Sequence, residues 1–178
     1  TDASTTVRNM TVKDAGDAGA GAGAHASGVA VRSSYFAPTF DGLSVTGSPG
    51  SGVHASGGGS MQGHTWNLSG NTEYGLRVDM AEVIVDGVLL DGNGFAGAFI
   101  EDGRSVELSN LTASNNGQSG ILPGQQAGLH YLRSNDVESN SGDVRCLHCN
   151  VRGNAGHALF IEDSVDLWIE DLLVEDVA

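Results

Sequence analysis

Carboxylates recur at regular intervals through the second half of this 178-residue chain. Asp79 ends the run LRVD, Glu101 and Asp102 end AFIED, and Glu162 and Asp163 end LFIED. Between the last two pairs lies a stretch that carries His130, Tyr131, Arg133 and Asp136. Clustered carboxylates have two chemical uses. They hold a cation such as Ca²⁺ through oxygen ligands, or one of them, crowded and desolvated, takes a raised pKa and transfers protons. Proton abstraction from a uronate sugar needs a cation beside the sugar carboxylate and a base. Arg133, His130 and Tyr131 are the side chains here that supply such parts. Asp79, Glu101, Asp102, Glu162 and Asp163 are therefore the candidate carbohydrate-binding residues, with His130, Tyr131 and Arg133 as candidate catalytic groups. The competing reading is an acidic, solvated face with a loop over it.

Other chemistry-bearing residues are weaker. Asp86, Asp91 and Asn93 in DGVLLDGNG suggest a calcium loop, but the spacing departs from D-x-[DN]-x-[DN]-G. Glu101, Asp102, Asp86 and Asp91 are the candidate ligands if calcium is bound. Cys146 and Cys149 form a CxxC. Both fall on apolar positions of the pattern described next, which predicts core thiols; a disulfide requires the turn to bring the Cα atoms within about 7 Å. Zinc lacks a second CxxC, with only His148 adjoining. His148 reads as a hydrogen bonder at a corner. His25 and His54 both sit in HASG, at different phases of the pattern, and receive no role. There is no G-x-S-x-G and no P-loop. Sequons at Asn9, Asn67 and Asn110 would need a secretory host.

These residues ride on a repeat. Val12, Val45, Leu68, Leu90, Ala113, Val151 and Val174 are spaced 33, 23, 22, 23, 38 and 23 apart. Met10, Leu43, Trp66, Val88, Leu111, Cys149 and Leu172 keep step with them, as do Val7, Phe40, Gly63, Val85, Leu108, Cys146 and Ile169. Turn formers Asn9, Gly42, Thr65, Gly87, Asn110, His148 and Asp171 precede the second column. Ser48, Asn71, Asn93, Asn116 and Asn154 form another column, followed four residues later by Gly52, Gly75, Gly97, Gly120 and Ala158, and then by Val53, Leu76, Ala98, Ile121 and Leu159. A period of 22–23 residues with three short strands and no helical periodicity predicts a solenoid of about seven β-coils. Asn71, Asn93, Asn116 and Asn154 are expected to form an amide ladder, each donating to one neighbour and accepting from the next.

The N-x5-N-x3-G-[IVL] pattern, clearest at Asn110, Asn116, Gly120 and Ile121, resembles the right-handed parallel β-helix family. The resemblance covers nearly the whole chain and implies an all-β, pectate-lyase-like solenoid. It implies either action on polysaccharides, as in lyases, hydrolases and uronan epimerases, or a structural role, as in tailspikes and adhesins. No catalytic motif of those enzymes matches.

Residues 1–178 read as a single domain, a mature chain or an excerpt, with insertion loops at about 14–27 and 122–143. The second insertion carries fifteen extra residues, with an additional cramped coil at SNDVESNSG as the alternative. Twenty-two acids against eight Lys plus Arg give a net charge of −14. That disfavours nucleic acid and anionic membranes, both polyanions. No apolar run reaches the length of a membrane span. Two functions stay open: an extracellular or cell-surface module that binds or processes polysaccharide along one face, or a stalk, spike, adhesin or filament subunit. Both termini begin or end in strand pattern rather than a cap, which favours end-to-end or side-by-side partners of its own kind.

Overall fold

A computed structural model describes residues 5–14, 27–32, 37–132, 143–163 and 167–176. In chain order the strands are β1 (Thr6–Arg8), β2 (Thr11–Lys13), β3 (Val29–Arg32), β4 (Thr39–Asp41), β5 (Ser44–Thr46), β6 (Val53–Ser56), β7 (Ser60–Ser69), β8 (Leu76–Asp79), β9 (Glu82–Asp91), β10 (Ala98–Glu101) and β11 (Ser105–Ser114). A single 3-10 turn, Pro123–Gln126, precedes β12 (Leu129–Leu132), β13 (Val144–Arg152), β14 (Leu159–Glu162) and β15 (Leu167–Glu175). All pairings are parallel and fall into two sheets. Sheet A runs β1-β4-β7-β9-β11-β13-β15, with β2 and β5 alongside; sheet B runs β14-β12-β10-β8-β6-β3. The chain alternates between the sheets as it climbs, so each period contributes one layer to both.

The apolar columns of the sequence are the register of sheet A. Val45, Leu68, Leu90, Ala113, Val151 and Val174 are successive partners. So are Val85, Leu108, Cys146 and Ile169. All of them except Val174, which is 44% exposed, belong to or pack against one continuous core. Burying each Val or Leu contributes about 1.5–3 kcal/mol, and the stack makes every layer depend on its neighbours. The Gly63 exception has a steric cause: a Cβ there would lie 2.2 Å from Trp66 Nε1. The indole fills both inward sites of its layer and donates from Nε1 to the Phe40 carbonyl at 2.9 Å.

The turn-former column separates β1 from β2 and β4 from β5 in the first two layers, but from β7 onward it lies within one continuous strand. Asn9, Gly42, Thr65, Gly87, Asn110, His148 and Asp171 all have φ between 50° and 77°. Each is a single left-handed residue that kinks sheet A while the ladder continues on both sides. The kink explains why apolar residues three apart, such as Leu108 and Leu111, both point inward despite the two-residue alternation of a strand. Of the seven, Thr65 is the β-branched one, a residue poorly suited to that conformation.

The same kink corrects the expectation of core thiols. With His148 at φ 54°, the Cys146 and Cys149 Cα atoms stand 6.1 Å apart and the sulfurs are joined in a disulfide inside the core. The buried asparagines lie one above another: Asn71 Nδ2 donates to Asn93 Oδ1, Asn93 to Asn116, and Asn116 to Asn154, at 2.9, 2.9 and 3.0 Å. Their oxygens also accept backbone N–H groups from the layer before.

One boundary is corrected. Leu129, not Ile121, pairs with Ala98, and Gly128 takes the place assigned to Gly120. Ile121 is 86% exposed. Asn93 precedes Ala98 by five residues, whereas Asn116 precedes Leu129 by thirteen. The span 122–143 is therefore not one loop: β12 lies within it, with an excursion before and residues 133–142 after. Those residues, the alternative coil at SNDVESNSG, and most of the predicted 14–27 loop lie outside the described residues.

Candidate functional site

Sheet B offers two outward positions per strand, and register aligns them into two rows. The first row is Ala30, His54, Arg77, Phe99, His130 and Phe160. The second is Arg32, Ser56, Asp79, Glu101, Leu132 and Glu162. Three predicted residues, Asp79, Glu101 and Glu162, thus share one row, with Leu132 between the last two. Asp102 and Asp163 come one residue later, at left-handed corners with φ of 49° and 60°.

Phe99 and Phe160 of the first row belong to a second, smaller apolar cluster outside the coil. Tyr74 stacks on Phe99 at 5.1 Å and meets Phe95 edge-on at 5.4 Å. Phe99 and Phe160 flank the His130 ring at 4.8 and 5.3 Å, and His157 stacks on Phe160. The Arg77 guanidinium lies 5.7 Å from the Phe99 centroid. These rings wall one side of the charged row.

Within that row the two neighbouring carboxyls are treated in opposite ways. Burial pushes Asp79 up, but hydrogen bonds from His54 and Arg77 outweigh it and hold the group below the usual carboxylate range. His54 Nε2 stands 2.7 Å from Asp79 Oδ2, and Arg77 Nε donates to both carboxylate oxygens at 3.1 and 3.0 Å. Glu101 has no hydrogen-bond or ion-pair partner among the described residues, and burial, reinforced by the Asp79 charge, raises it above its ordinary value. Neighbouring carboxyls whose pKa values are pushed apart are the arrangement that acid–base chemistry uses. Tyr74 is also raised, by burial, with Arg77 opposing.

Other sequence candidates fall elsewhere. His130 is outward and joins the site, with Nε2 2.9 Å from Glu162 Oε2. Tyr131 points the other way. It is wholly buried in the core and its hydroxyl has no partner among the described residues, so the candidate catalytic role is withdrawn. Alternation in β12 puts neighbours 130 and 131 on opposite sides. Arg133 lies outside the described residues. Asp86 and Asp91 are on β9 in sheet A, where Ser109 and Asn110 donate to the first and Ser114 and Asn115 to the second. They do not meet Glu101 and Asp102, and no three His, Cys, Asp or Glu side chains gather to hold a metal among the described residues. His148 bonds Asp171 of the next layer at 2.9 Å. A cleft of about 300 Å³ lined by Arg145, Leu147, Trp168 and Glu170 opens on sheet A, away from the charged row.

His54, Tyr74, Arg77 and Phe99 were not singled out from the sequence. The available signal was position: His54, Arg77 and Phe99 each stand two residues after the glycine column, where a short strand turns a side chain outward.

Residues 1–166 match the family described as right handed beta helix region, and the chain belongs to that family. Among solved structures, the A-module of mannuronan C-5 epimerase AlgE4 from Azotobacter vinelandii is similar, with a TM-score of 0.59 and 13% identity. The alignment covers 98% of this chain and 54% of that one, so the chain spans about half the length of the epimerase module. At this identity the likeness is one of fold. No curated protein matches. Among the described residues no helix is long and apolar enough to cross a membrane.

Proposed function

We propose that the chain is an extracellular β-helix module that binds or processes polysaccharide along the outer face of sheet B. The observation that carries this reading is the half-buried charged row, in which Glu101 is raised and its carboxyl has no partner among the described residues, beside an Asp79 held low by His54 and Arg77. Asp79 and Glu101 are direct register partners. The ring wall shields one side of the row, and a sugar seated there meets two carboxyl groups of unequal acidity, Glu101 and Asp79. Support from outside the site is coarser: the similar A-module belongs to an enzyme named for action on mannuronan. The Cys146–Cys149 disulfide fits an oxidising compartment.

The test is a panel of neutral and acidic oligosaccharides. Binding is read by calorimetry, and chemistry by unsaturated-product absorbance and by sugar-epimer analysis, with and without Ca²⁺. Glu101→Gln should reduce turnover at least tenfold if the module is an enzyme; Asp79→Ala should weaken binding either way. Indifference to every glycan would end the reading.

A structural role rests on a different observation. The inward positions Ile161, Leu172 and Val174 are 48%, 37% and 44% exposed, an apolar surface that a further coil, of the same polypeptide or another copy, would cover. Light scattering against concentration separates the two: a chain that stays monomeric to millimolar concentration does not stack through this surface.

A further inference from the structure

The excursion between Asn116 and Gly128 is tied down at its ends and loose in the middle. Gly117 N–H donates to the Asn93 and Phe95 carbonyls, Ser119 N–H to Gly94, and Gly156 N–H to Gln126. From Gly120 to Gln125 the hydrogen bonds mostly stay within the excursion: Ile121 and Leu122 N–H to Gln125 Oε1, Gln125 N–H to Leu122, and Gln126 Nε2 to Gly120. A stretch with few outside bonds and two exposed apolar residues, Ile121 and Leu122, opens locally at low cost.

Two contacts seat it on sheet B. Gln125 bonds the Tyr74 side chain. Gly124 rests on the His130 ring so closely that a Cβ would fall 2.2 Å from Cε1 and 2.5 Å from Nδ1. His130 is 7% exposed. Its Nε2 faces Glu162 of β14, the one charged group directed at it among the described residues; β10 presents Phe99, β14 also Phe160, and the 3-10 turn an uncharged glycine. Its Nδ1 is buried with no partner among the described residues. Neutral imidazole protonated at Nε2 donates to Glu162 and leaves only a lone pair at Nδ1. A second proton would create a charged donor in that same buried spot with no acceptor, a far costlier arrangement. Lifting the excursion lets water reach it.

We propose that residues 120–125 form an acid-released cover, seated on sheet B while His130 is neutral and lifted when Nδ1 takes a proton, which bares the Tyr74–Phe99–His130 row. The idea does not depend on the ligand of that face. Burial lowers His130 below its ordinary value while the Glu162 hydrogen bond opposes, so the transition lies below about pH 6.5.

Hydrogen exchange of the full chain at pH 7.5 and 5.0, corrected for intrinsic rates, tests it. Protection of the Gln125 and Ala127 amides should fall severalfold on acidification, because the opened form takes up the proton that the seated form excludes. His130→Phe, which keeps a ring under Gly124, should remove the pH dependence. Glu162→Gln, which leaves the ring in place but withdraws its counter-charge, should move the transition to lower pH. Equal protection at both pH values, or a pH dependence that survives in His130→Phe or stays in place in Glu162→Gln, would overturn the proposal.

Discussion

The outer faces of sheets A and B arise from the same alternation, yet they are built differently. On sheet A the outward side chains of β9, among them Glu82, Ile84, Asp86 and Leu89, stand in solvent; Ile84 and Leu89 are 44% and 37% exposed. On sheet B the outward His54, Phe99 and His130 are each 7% exposed. The difference lies in what flanks the strands. From β7 onward the sheet A strands are nine or ten residues long and bounded by tight left-handed residues, and among the described residues nothing folds back over them. Sheet B strands are four residues long, and the segments leading into them carry Tyr74, Phe95 and the 3-10 turn, which lean over the sheet. An outward position is thus not a solvent position. A short strand with side-chain-bearing approaches makes a second interior, and charged groups at its rim have their pKa values moved.

Five substitutions probe that contrast, the first as a baseline beneath both faces. Asn93→Leu should cost about 3–5 kcal/mol in denaturant unfolding, because it strips partners from the buried Asn71 amide groups and the Leu68 carbonyl. Phe99→Ala should cost about 3 kcal/mol, as for a core ring, whereas Leu89→Ala on sheet A should stay within about 0.5 kcal/mol. Equal costs for these two outward residues would erase the distinction drawn here. Asp79→Asn sharpens it through pH. The folded state holds this carboxyl low, so its contribution is complete above the unfolded value of about 3.9 and is lost as pH falls through the folded value. The variant should melt below wild type at pH 6, and the gap should narrow toward pH 3. Thr65→Asn, at an exposed kink of sheet A, should gain about 0.5–1 kcal/mol by relieving the left-handed threonine.

The inner columns were legible from the sequence because repetition reinforces them: Val45, Leu68 and Leu90 each repeat the same requirement. The kinks were legible as turn formers but not as kinks, since Asn, Gly and Asp serve both. The excursion after Asn116 was misplaced because Gly120–Ile121 mimics the glycine and apolar residue that Gly128–Leu129 supply. The site was half legible. Acids at strand ends announced Asp79, Glu101 and Glu162, but the row of His54, Arg77, Phe99 and His130 mixes basic and aromatic residues with no common type. Only register unites it, and register is a property of the stack rather than of any one period. The same reasoning missed that His130 and Tyr131, adjacent in sequence, face opposite environments.

The buried asparagines have one more implication. Each makes the same bonds upward that its predecessor makes, so the stack has no privileged layer in its middle. Removing residues 82–104 would bring Ser105 to the place of Glu82, its register partner, and set Asn116 against Asn71. The molecule is in this sense a string of interchangeable units, open to lengthening or shortening by whole periods. Glu101, Phe99 and their neighbours are what a given period adds to that common frame.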